Sequence, residues 1–447
     1  MQAPSTRPRR PSSPSSRPIR GEAAPWFLHA RLLAERGQHA EAQEACRRAI
    51  ELWPDIQPVY RLLSELADHA GGDAGGWLDT ARRLLLAQQP DDLLLANRIG
   101  GQLCAEGRFA DALPYLRQAA PRLGHQDSAL WNYTTSLALT GGYHELLGIE
   151  PLLTTLSRDV PPPFGPFAHL AGARLALQSD RVAIRREIAA LQASSRWLDA
   201  SQLAERLAEA VAAHRPFSVI LLSEGHARLV VHASLRVHLM LTEAEMSAVV
   251  NSVWIDAFGD PIESHGAAPA GALGHRLLAA IAEADVIAMP DEAHLAGANE
   301  HFGFLAEMQR IVMRRDAGLA AGLAVIGEMH DAMPFLRPLL ADQPFLGFVG
   351  SHPDLAERLA RFSQVRETAT YLIPAALNRH DIAEPLRGRD HFPTRLEQTL
   401  ATLAVPFPGA MFLVAAGLLG SLYCARIRQL GGIAIDIDSI VTRWITR

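Results

Sequence analysis

The hydrophobic positions in the first half of the chain follow the spacing of amphipathic helices that come in pairs. The segment Gly37-Gln-His-Ala40-Glu-Ala42 recurs as Gly107-Arg-Phe-Ala110-Asp-Ala112, an offset of 70 residues, which is two periods of about 35. A face of mostly small side chains follows each time, at Ala42, Cys46 and Ala49 and again at Ala112, Leu116 and Ala119. The pattern predicts closely packed helix pairs with the glycine in the turn between the helices.

Further copies of this unit are weaker. The copy around residues 72–90 is degenerate, another lies around 131–146, and helical pairing continues over 167–191. These pairs resemble tetratricopeptide repeats, with Trp26 at the large-residue position of a first helix and Pro54 ending the second. The resemblance implies an array over residues 26–195 whose concave face binds a partner or makes an oligomer contact. A structural spacer packed on the next domain is an equal alternative.

The pattern changes near residue 195 to short, continuously apolar runs. They span residues 217–222, 284–289, 323–326, 345–349, 369–373, 411–415 and 433–437, and helical stretches separate most of them. Apolar strands that alternate with helices predict a mostly parallel, Rossmann-like α/β domain over residues 196–447, with helices on both faces of the sheet. In such sheets ligands bind beyond the carboxyl ends of the strands, so the loops that follow strands are the places to search.

Composition and charge narrow the classes of function. The net charge of −6 argues against a protein that coats nucleic acid, because phosphate binding needs a clustered positive field. Residues 1–25 are mainly Pro, Ser and Arg without an apolar segment, which predicts a disordered tail and no secretory signal. Three widely separated cysteines favour a reducing, cytoplasmic location over a disulfide framework or a zinc site.

One long uncharged stretch raises the question of a membrane span. Residues 398–425 carry no charge, but Pro406, Pro408, Gly409, Gly417 and Gly420 interrupt them. Such interruptions are typical of a buried strand, a glycine turn and a helix rather than of a membrane-spanning helix. The sequence therefore predicts no membrane span.

Four segments of the second half carry a family resemblance through their order and spacing. They are residues 217–226, residues 284–290, residues 327–330 with 345–351, and residues 408–417 with 431–438. Together they resemble the GT-D fold of sugar-nucleotide glycosyltransferases. The resemblance implies transfer of a sugar from a nucleotide donor of the uridine diphosphate type to a protein or glycan acceptor recruited by the repeats. The alternative is a non-catalytic interaction protein with a degenerate GT-D domain.

The resemblance also assigns candidate site residues. The family's Asp-x-Glu pair, which holds a divalent cation against the diphosphate, aligns with Glu224 and His226, and Mn2+ or Mg2+ is the implied ion. An exposed Glu and His on a turn are the alternative. The residues implied in donor binding are Ser223, Gly225, Gly350, Ser351 and Gly417. A plain helix cap explains Ser351 equally well. Asp436 and His330 are the catalytic candidates, and a structural role for each is the alternative.

Overall fold

The described part of the chain falls into two units. In this computed structural model the described residues are 20–52, 57–67, 86, 91–124, 128–156, 164–234, 237, 239–258, 268–313, 318–323, 338–341, 343–353, 355, 357, 365–374 and 391–437. Contacts between Cα atoms divide the chain into Met1–Ala129 and Leu130–Arg447. The division therefore falls earlier in the chain than the boundary near residue 195 that the sequence suggested.

The first unit is built of paired helices. They are α1 (Arg20–Glu35), α2 (His39–Leu52), α3 (Gln57–Ala67), α4 (Leu93–Ala105) and α5 (Phe109–Leu123). Helix α1 packs on α2, and α4 packs on α5. The expected small-residue faces lie at these contacts, because Ala42, Cys46, Ala49, Ala112, Leu116 and Ala119 are all buried. The predicted helix pairing is thus confirmed for these two copies.

The two repeat glycines close the same turn. Gly37 and Gly107 both have φ of +73°, and an added Cβ would meet no atom within 4 Å at either position. The next N–H in each copy reaches back five residues: Gln38 donates to Leu33 O at 2.9 Å, and Arg108 donates to Leu103 O at 2.8 Å. Glycine is required here by the backbone conformation, since left-handed φ is strained for other residues.

The first helix begins earlier than the sequence indicated. Helix α1 starts at Arg20 and includes Pro25, so residues 20–25 are helical and do not belong to the tail that was expected to reach residue 25. Ala23 is fully buried, and this burial supports the extra turn. Trp26, which the repeat pattern places at a large-residue position, is 41% exposed.

Helical pairing continues into the second unit. The helices α6 (Ala129–Thr140), α7 (Tyr143–Gly148), α8 (Glu150–Leu156), α9 (Phe164–Leu177) and α10 (Arg181–Gln192) precede the sheet. Gly141 has φ of +75°, and Gly142 N–H donates to Leu137 O at 2.8 Å, so the turn of the first two copies recurs here. These helices resemble the earlier pairs in their turn, but they belong to the same unit as the sheet.

Eight strands in the described residues form one sheet in which all pairs are parallel. They are β1 (Trp197–Leu198), β2 (Phe217–Leu221), β3 (Val286–Met289), β4 (Leu319–Gly322), β5 (Phe345–Gly350), β6 (Glu367–Leu372), β7 (Met411–Ala415) and β8 (Ile433–Asp436). Their order across the sheet is β1-β4-β3-β2-β8-β7-β5-β6. The predicted parallel α/β architecture is confirmed. The two-residue β1 was not predicted. Most of the strand expected at 323–326 lies outside the described residues, and β4 precedes it.

The helices around the sheet separate most of its strands, as predicted. They are α11 (Ala200–Ala212), α12 (Glu224–His232), α13 (Glu243–Phe258), α14 (Ala268–Glu283), α15 (Glu292–Gly297), α16 (Phe302–Met313), α17 (Leu396–Thr402) and α18 (Gly420–Gln429). The uncharged stretch forms β7, a tight turn over Gly417–Leu419 and α18, which confirms the expected strand-turn-helix unit. Among the helices of the described residues, none combines the length and apolar character that a membrane crossing needs.

Candidate functional site

The start of helix α12 lies at the carboxyl edge of the sheet. Strand β2 ends at Leu221, and Ser223 and Glu224 begin the helix that follows. Strand β3 runs parallel beside β2, with Leu221 paired to Ala288, so the loop after β3 reaches the same edge. Both loops therefore stand where ligands bind in parallel sheets.

The ring of His226 faces inward, not toward a ligand. Its Nδ1 accepts the backbone N–H of Ser223 at 3.2 Å and lies 2.9 Å from the Ser223 hydroxyl. The ring is 1% exposed. Burial lowers the pKa of His226 to about 4, against the opposing effects of the Leu418 backbone and Glu224. The residue is thus a neutral helix-capping group, although the sequence suggested an exposed turn.

Glu224 stands at the first position of helix α12 and pairs with a histidine that the sequence did not indicate. Its Oε1 lies 3.2 Å from Nε2 of His294, which is carried by α15. Both side chains are partly exposed. Burial alone would raise the pKa of Glu224, but its own backbone N–H, His294 and His301 outweigh this effect and lower it. The carboxylate also benefits from the positive end of the helix dipole.

Three further charged or titratable groups continue this arrangement. Arg228 lies one turn along α12, and its guanidinium is 3.3 Å from Nδ1 of His301. On the other side of the His301 ring, Nε2 lies 3.9 Å from Oε2 of Glu300. Burial and Arg228 lower the pKa of His301, whereas Glu300 and Glu224 oppose that shift. We call Glu224, Arg228, His294, Glu300 and His301 the carboxyl-edge cluster.

The turn after strand β7 meets the start of helix α12. Gly417 has φ of +52° and opens the turn that leads into α18. A Cβ added at Gly225 would lie 3.5 Å from the Leu418 side chain, and the Leu418 backbone also influences His226. The structure therefore brings Ser223, Gly225 and Gly417 into one neighbourhood.

Gly350 and Ser351 end strand β5 beside the same turn. Gly350 is paired with Ala415 across the β5–β7 ladder, and an added Cβ there would collide with the ring of Phe348. Packing within the sheet thus explains the glycine. The chain leaves β5 toward β6 and leaves β7 toward β8, on opposite sides. Ligands bind at such a divergence in parallel sheets, and Ser351, which is buried, directly follows the end of β5.

Asp436 ends strand β8 and faces helix α18. A Cβ at Gly420 would lie 2.6 Å from Oδ2 and 2.9 Å from Oδ1 of Asp436, so the carboxylate packs against the first residue of that helix. The side chain is buried. Burial raises the pKa of the Cys424 thiol, and the charge of Asp436 raises it further. This placement suits a carboxylate that stabilises a helix N-terminus.

His330, the other catalytic candidate, lies outside the described residues. Sequence reasoning did not single out His294, His301, Glu300 or Arg228. The sequence feature that could have indicated these residues was their position after strands β2 and β3, since polar residues there reach the carboxyl edge. Their mutual distances depend on the tertiary fold.

A cation held jointly by Glu224 and His226 does not fit this geometry. The Nδ1 lone pair of His226 already accepts the Ser223 N–H, and His226 is buried whereas the Glu224 carboxylate is partly exposed. Metal ligands must direct a free lone pair at the ion. Over the residues with described positions, no group of three or more His, Cys, Asp and Glu side chains is arranged to hold a metal ion.

A cleft at the opposite, amino-terminal edge of the sheet holds a different set of charges. It measures about 410 Å³ and is bordered by Arg206, Asp285 and Arg428, among others. Arg428 Nε donates to Asp285 Oδ2 at 2.7 Å, and the same carboxylate oxygen accepts the Ser218 N–H at 2.9 Å. These bonds tie helix α18 to β2 and β3, so the charges have a structural explanation.

The fold and the carboxyl-edge cluster together define the class of protein: paired helices followed by a parallel α/β unit with charged side chains where its strands end. Comparison with known proteins adds no family to that description, since no protein-family model matches the chain and no curated protein matches it in sequence.

Proposed function

We propose that this chain is a cytoplasmic glycosyltransferase of the GT-D type that uses a nucleotide-sugar donor and a protein or glycan acceptor. The observation that carries the proposal is the convergence, at one sheet edge, of the start of α12, the Gly417 turn and the carboxyl-edge cluster. The segments with the family resemblance supply the first two. The paired helices of the first unit, read as tetratricopeptide-like repeats, would recruit the acceptor or a partner.

The cluster contains the groups that sugar transfer needs. An acceptor hydroxyl attacks the anomeric carbon of the donor, the bond from that carbon to the diphosphate oxygen breaks, and the diphosphate leaves with the electron pair. The acceptor's proton passes to a base, and His294, which is partly exposed and held by Glu224 at 3.2 Å, is suited to receive it. Arg228 and the N-terminus of α12 supply positive potential for the leaving diphosphate.

This assignment differs from the catalytic candidates that the sequence suggested, Asp436 and His330. Asp436 is buried against Gly420, so we assign it to holding helix α18 and not to the acceptor. The cation that the family uses has no fitting ligand pair at Glu224 and His226. We therefore propose that donor binding relies on this chain's own positive groups.

Titration calorimetry with uridine diphosphate tests the proposal on the full chain. We expect binding to the wild type, with similar affinity in Mn2+ and in chelator, and a loss of at least about tenfold in Arg228→Gln, since a charge-assisted contact contributes roughly 1.5–3 kcal/mol. Arg276→Gln is the matched control, because that arginine pairs with Glu397 on the surface of α14. Binding that appears only with Mn2+ would restore a metal site and contradict our arrangement.

The second candidate function is a non-catalytic interaction protein. The inward-facing His226 and the buried Asp436 favour it, because the first was implied in metal binding and the second in catalysis, and both side chains are buried. Absence of uridine diphosphate binding by the wild-type chain, under both metal conditions, would support this function and contradict the transferase.

A further inference from the structure

The loop that carries His294 and His301 is held by the helices that precede the sheet. Asn299 is the anchor: its carbonyl accepts the hydroxyl of Tyr143 at 2.6 Å, and its amide donates to Leu139 O at 3.0 Å. Its Oδ1 accepts from Arg181 at 3.2 Å. The Arg181 guanidinium also lies 4.3 Å from the ring centroid of Phe302, at the start of α16. Helices α6, α7 and α10 therefore fix the backbone of this loop.

His169 on helix α9 makes the contact that reaches the cluster itself. Its Nε2 lies 3.3 Å from Oε1 of Glu300, and its Nδ1 lies 3.3 Å from the Thr134 hydroxyl. That hydroxyl donates to Trp131 O at 3.1 Å, so toward the imidazole it presents its oxygen as an acceptor. Both ring nitrogens thus face oxygen atoms, and His169 is tied to Thr134 on one side and to Glu300 on the other.

The carboxylate of Glu300 connects His169 with the surroundings of His301. Burial would raise the pKa of Glu300, but the hydrogen bond and charge of His169 lead the effects that lower it to about 2. The carboxylate lies between two imidazoles, because Oε1 meets His169 at 3.3 Å and Oε2 is 3.9 Å from His301. The 3.9 Å contact is longer than a hydrogen bond, so the carboxylate acts on His301 through its charge, and His169 fixes where that charge lies.

The other side of His301 is set by Arg228. A guanidinium can only donate, so Nδ1 of His301, 3.3 Å away, presents its lone pair to Arg228. Nε2 then carries the proton and points to Glu300. Arg228 is itself placed by its 2.7 Å bond to Ser252. The groups that act electrostatically on His301 are Arg228 and Glu224 of α12, the adjacent Glu300, and His169 of α9.

We propose that His169 is a positioning residue of the carboxyl-edge cluster: it holds the carboxylate of Glu300 in place, and that carboxylate sets the negative charge that faces His301 on the side away from Arg228. Helix α9 then contributes a side chain that positions the site, in addition to packing beside the sheet. The inference takes the cluster as the ligand site and in that respect rests on the proposed function, but the contacts that carry it are independent of any ligand.

Histidine-ring NMR titration of the full chain tests this proposal without a ligand. The ring resonance of His301 is assigned as the one that is missing from the spectrum of His301→Gln. In His169→Phe we expect the pKa of His301 to rise, because the electrostatic influence by which His169 lowers it is removed and the Glu300 carboxylate is no longer held away from His301. His169→Gln loses the same influence but keeps a donor that holds Glu300 in place, so it should give a smaller rise than His169→Phe. Glu300→Gln should lower the pKa of His301, since it removes a negative charge that favours protonation.

The matched control is His275→Gln, which alters an exposed histidine of α14 and should leave His301 unchanged. An unchanged His301 pKa in both His169 variants would overturn the proposal. If His169→Phe fails to fold, His169→Gln and Glu300→Gln decide it by the direction of their shifts. Failure of the transferase proposal is seen separately: the wild type then binds no uridine diphosphate, while the His301 shifts still report on the positioning role.

Discussion

At the scale of single residues, the two kinds of glycine in this chain have different physical reasons. Gly37 and Gly107 are required by their positive φ, with open space where a Cβ would stand. Gly420 has an ordinary helical φ of −54°, and what excludes a side chain there is the carboxylate of Asp436. From the sequence alone these two kinds of glycine cannot be distinguished.

Gly420→Ala should destabilise the second unit. The new Cβ would lie 2.6 Å from Oδ2 of Asp436, and relieving such overpacking costs about 1–3 kcal/mol. Gly271→Ala in α14 is the matched control, because no atom lies within 4 Å of its added Cβ; it should be neutral or stabilising by up to about 1 kcal/mol. Urea unfolding of both variants measures the difference. Equal stabilities would show that Asp436 does not need this close approach.

His226 should make stability depend on pH. Its pKa is lowered from 6.5 to about 4 in the folded chain, so the unfolded chain binds the proton more tightly. The stability that this difference provides is full above about pH 6.5 and is lost as pH falls toward 4, by up to roughly 3 kcal/mol.

Comparison of wild type with His226→Gln isolates this effect, because both proteins keep His391, whose pKa is also lowered to about 4. We expect the free energy of unfolding to fall less steeply between pH 6.5 and 4.5 in the variant, as measured by urea unfolding at several pH values. Parallel pH profiles would mean that His226 is accessible to protons in the folded chain.

At the scale of elements, the first helix sets how much of the N-terminus can be removed. Residues 1–19 lie outside the described residues, and their composition predicts that they are dispensable. Helix α1 begins at Arg20 and buries Ala23.

Deletion of residues 1–19 should therefore leave the melting temperature unchanged. Deletion of residues 1–25 removes the first turns of α1 and the buried Ala23 methyl, which should cost on the order of 1 kcal/mol. Thermal unfolding followed by circular dichroism distinguishes the two truncations. A lower melting temperature in the shorter deletion would show that the tail contacts the fold.

At the scale of the whole molecule, the division of the chain follows packing and not the change of hydrophobic pattern. Helix α9 packs on α13 and α16. Arg174 of α9 pairs at 3.0 Å with Glu245 of α13, whose side chain is 1% exposed. Cutting the chain near residue 195 would leave this carboxylate without its arginine.

A fragment of residues 129–447 should fold, and a fragment of residues 196–447 should be markedly less stable. Breaking a buried ion pair by removing one partner costs about 3–5 kcal/mol, and the apolar contacts of α9 are lost as well. Thermal unfolding of the two fragments beside the full chain is the measurement. Equal melting temperatures for the two fragments would move the boundary back toward residue 195, where the sequence suggested it.

The sequence by itself determined the elements whose signal is local. The recurring Gly37 and Gly107 turns follow from a repeat that can be read in one dimension, and strands such as Met411–Ala415 are continuous apolar runs that only a buried parallel sheet accommodates. Hydrophobic periodicity reports how each segment is buried, so it predicts fold class well.

Only the tertiary structure decided which side chains meet. His169, Arg228 and Glu300 lie far apart in the chain, and nothing in their local sequence indicates that the Glu300 carboxylate lies between His169 and His301. The motif position His226 shows the converse, because local sequence placed it beside Glu224 while packing directed its ring inward. Local pattern determines burial along the chain, whereas long-range packing determines the distances on which a site's chemistry depends.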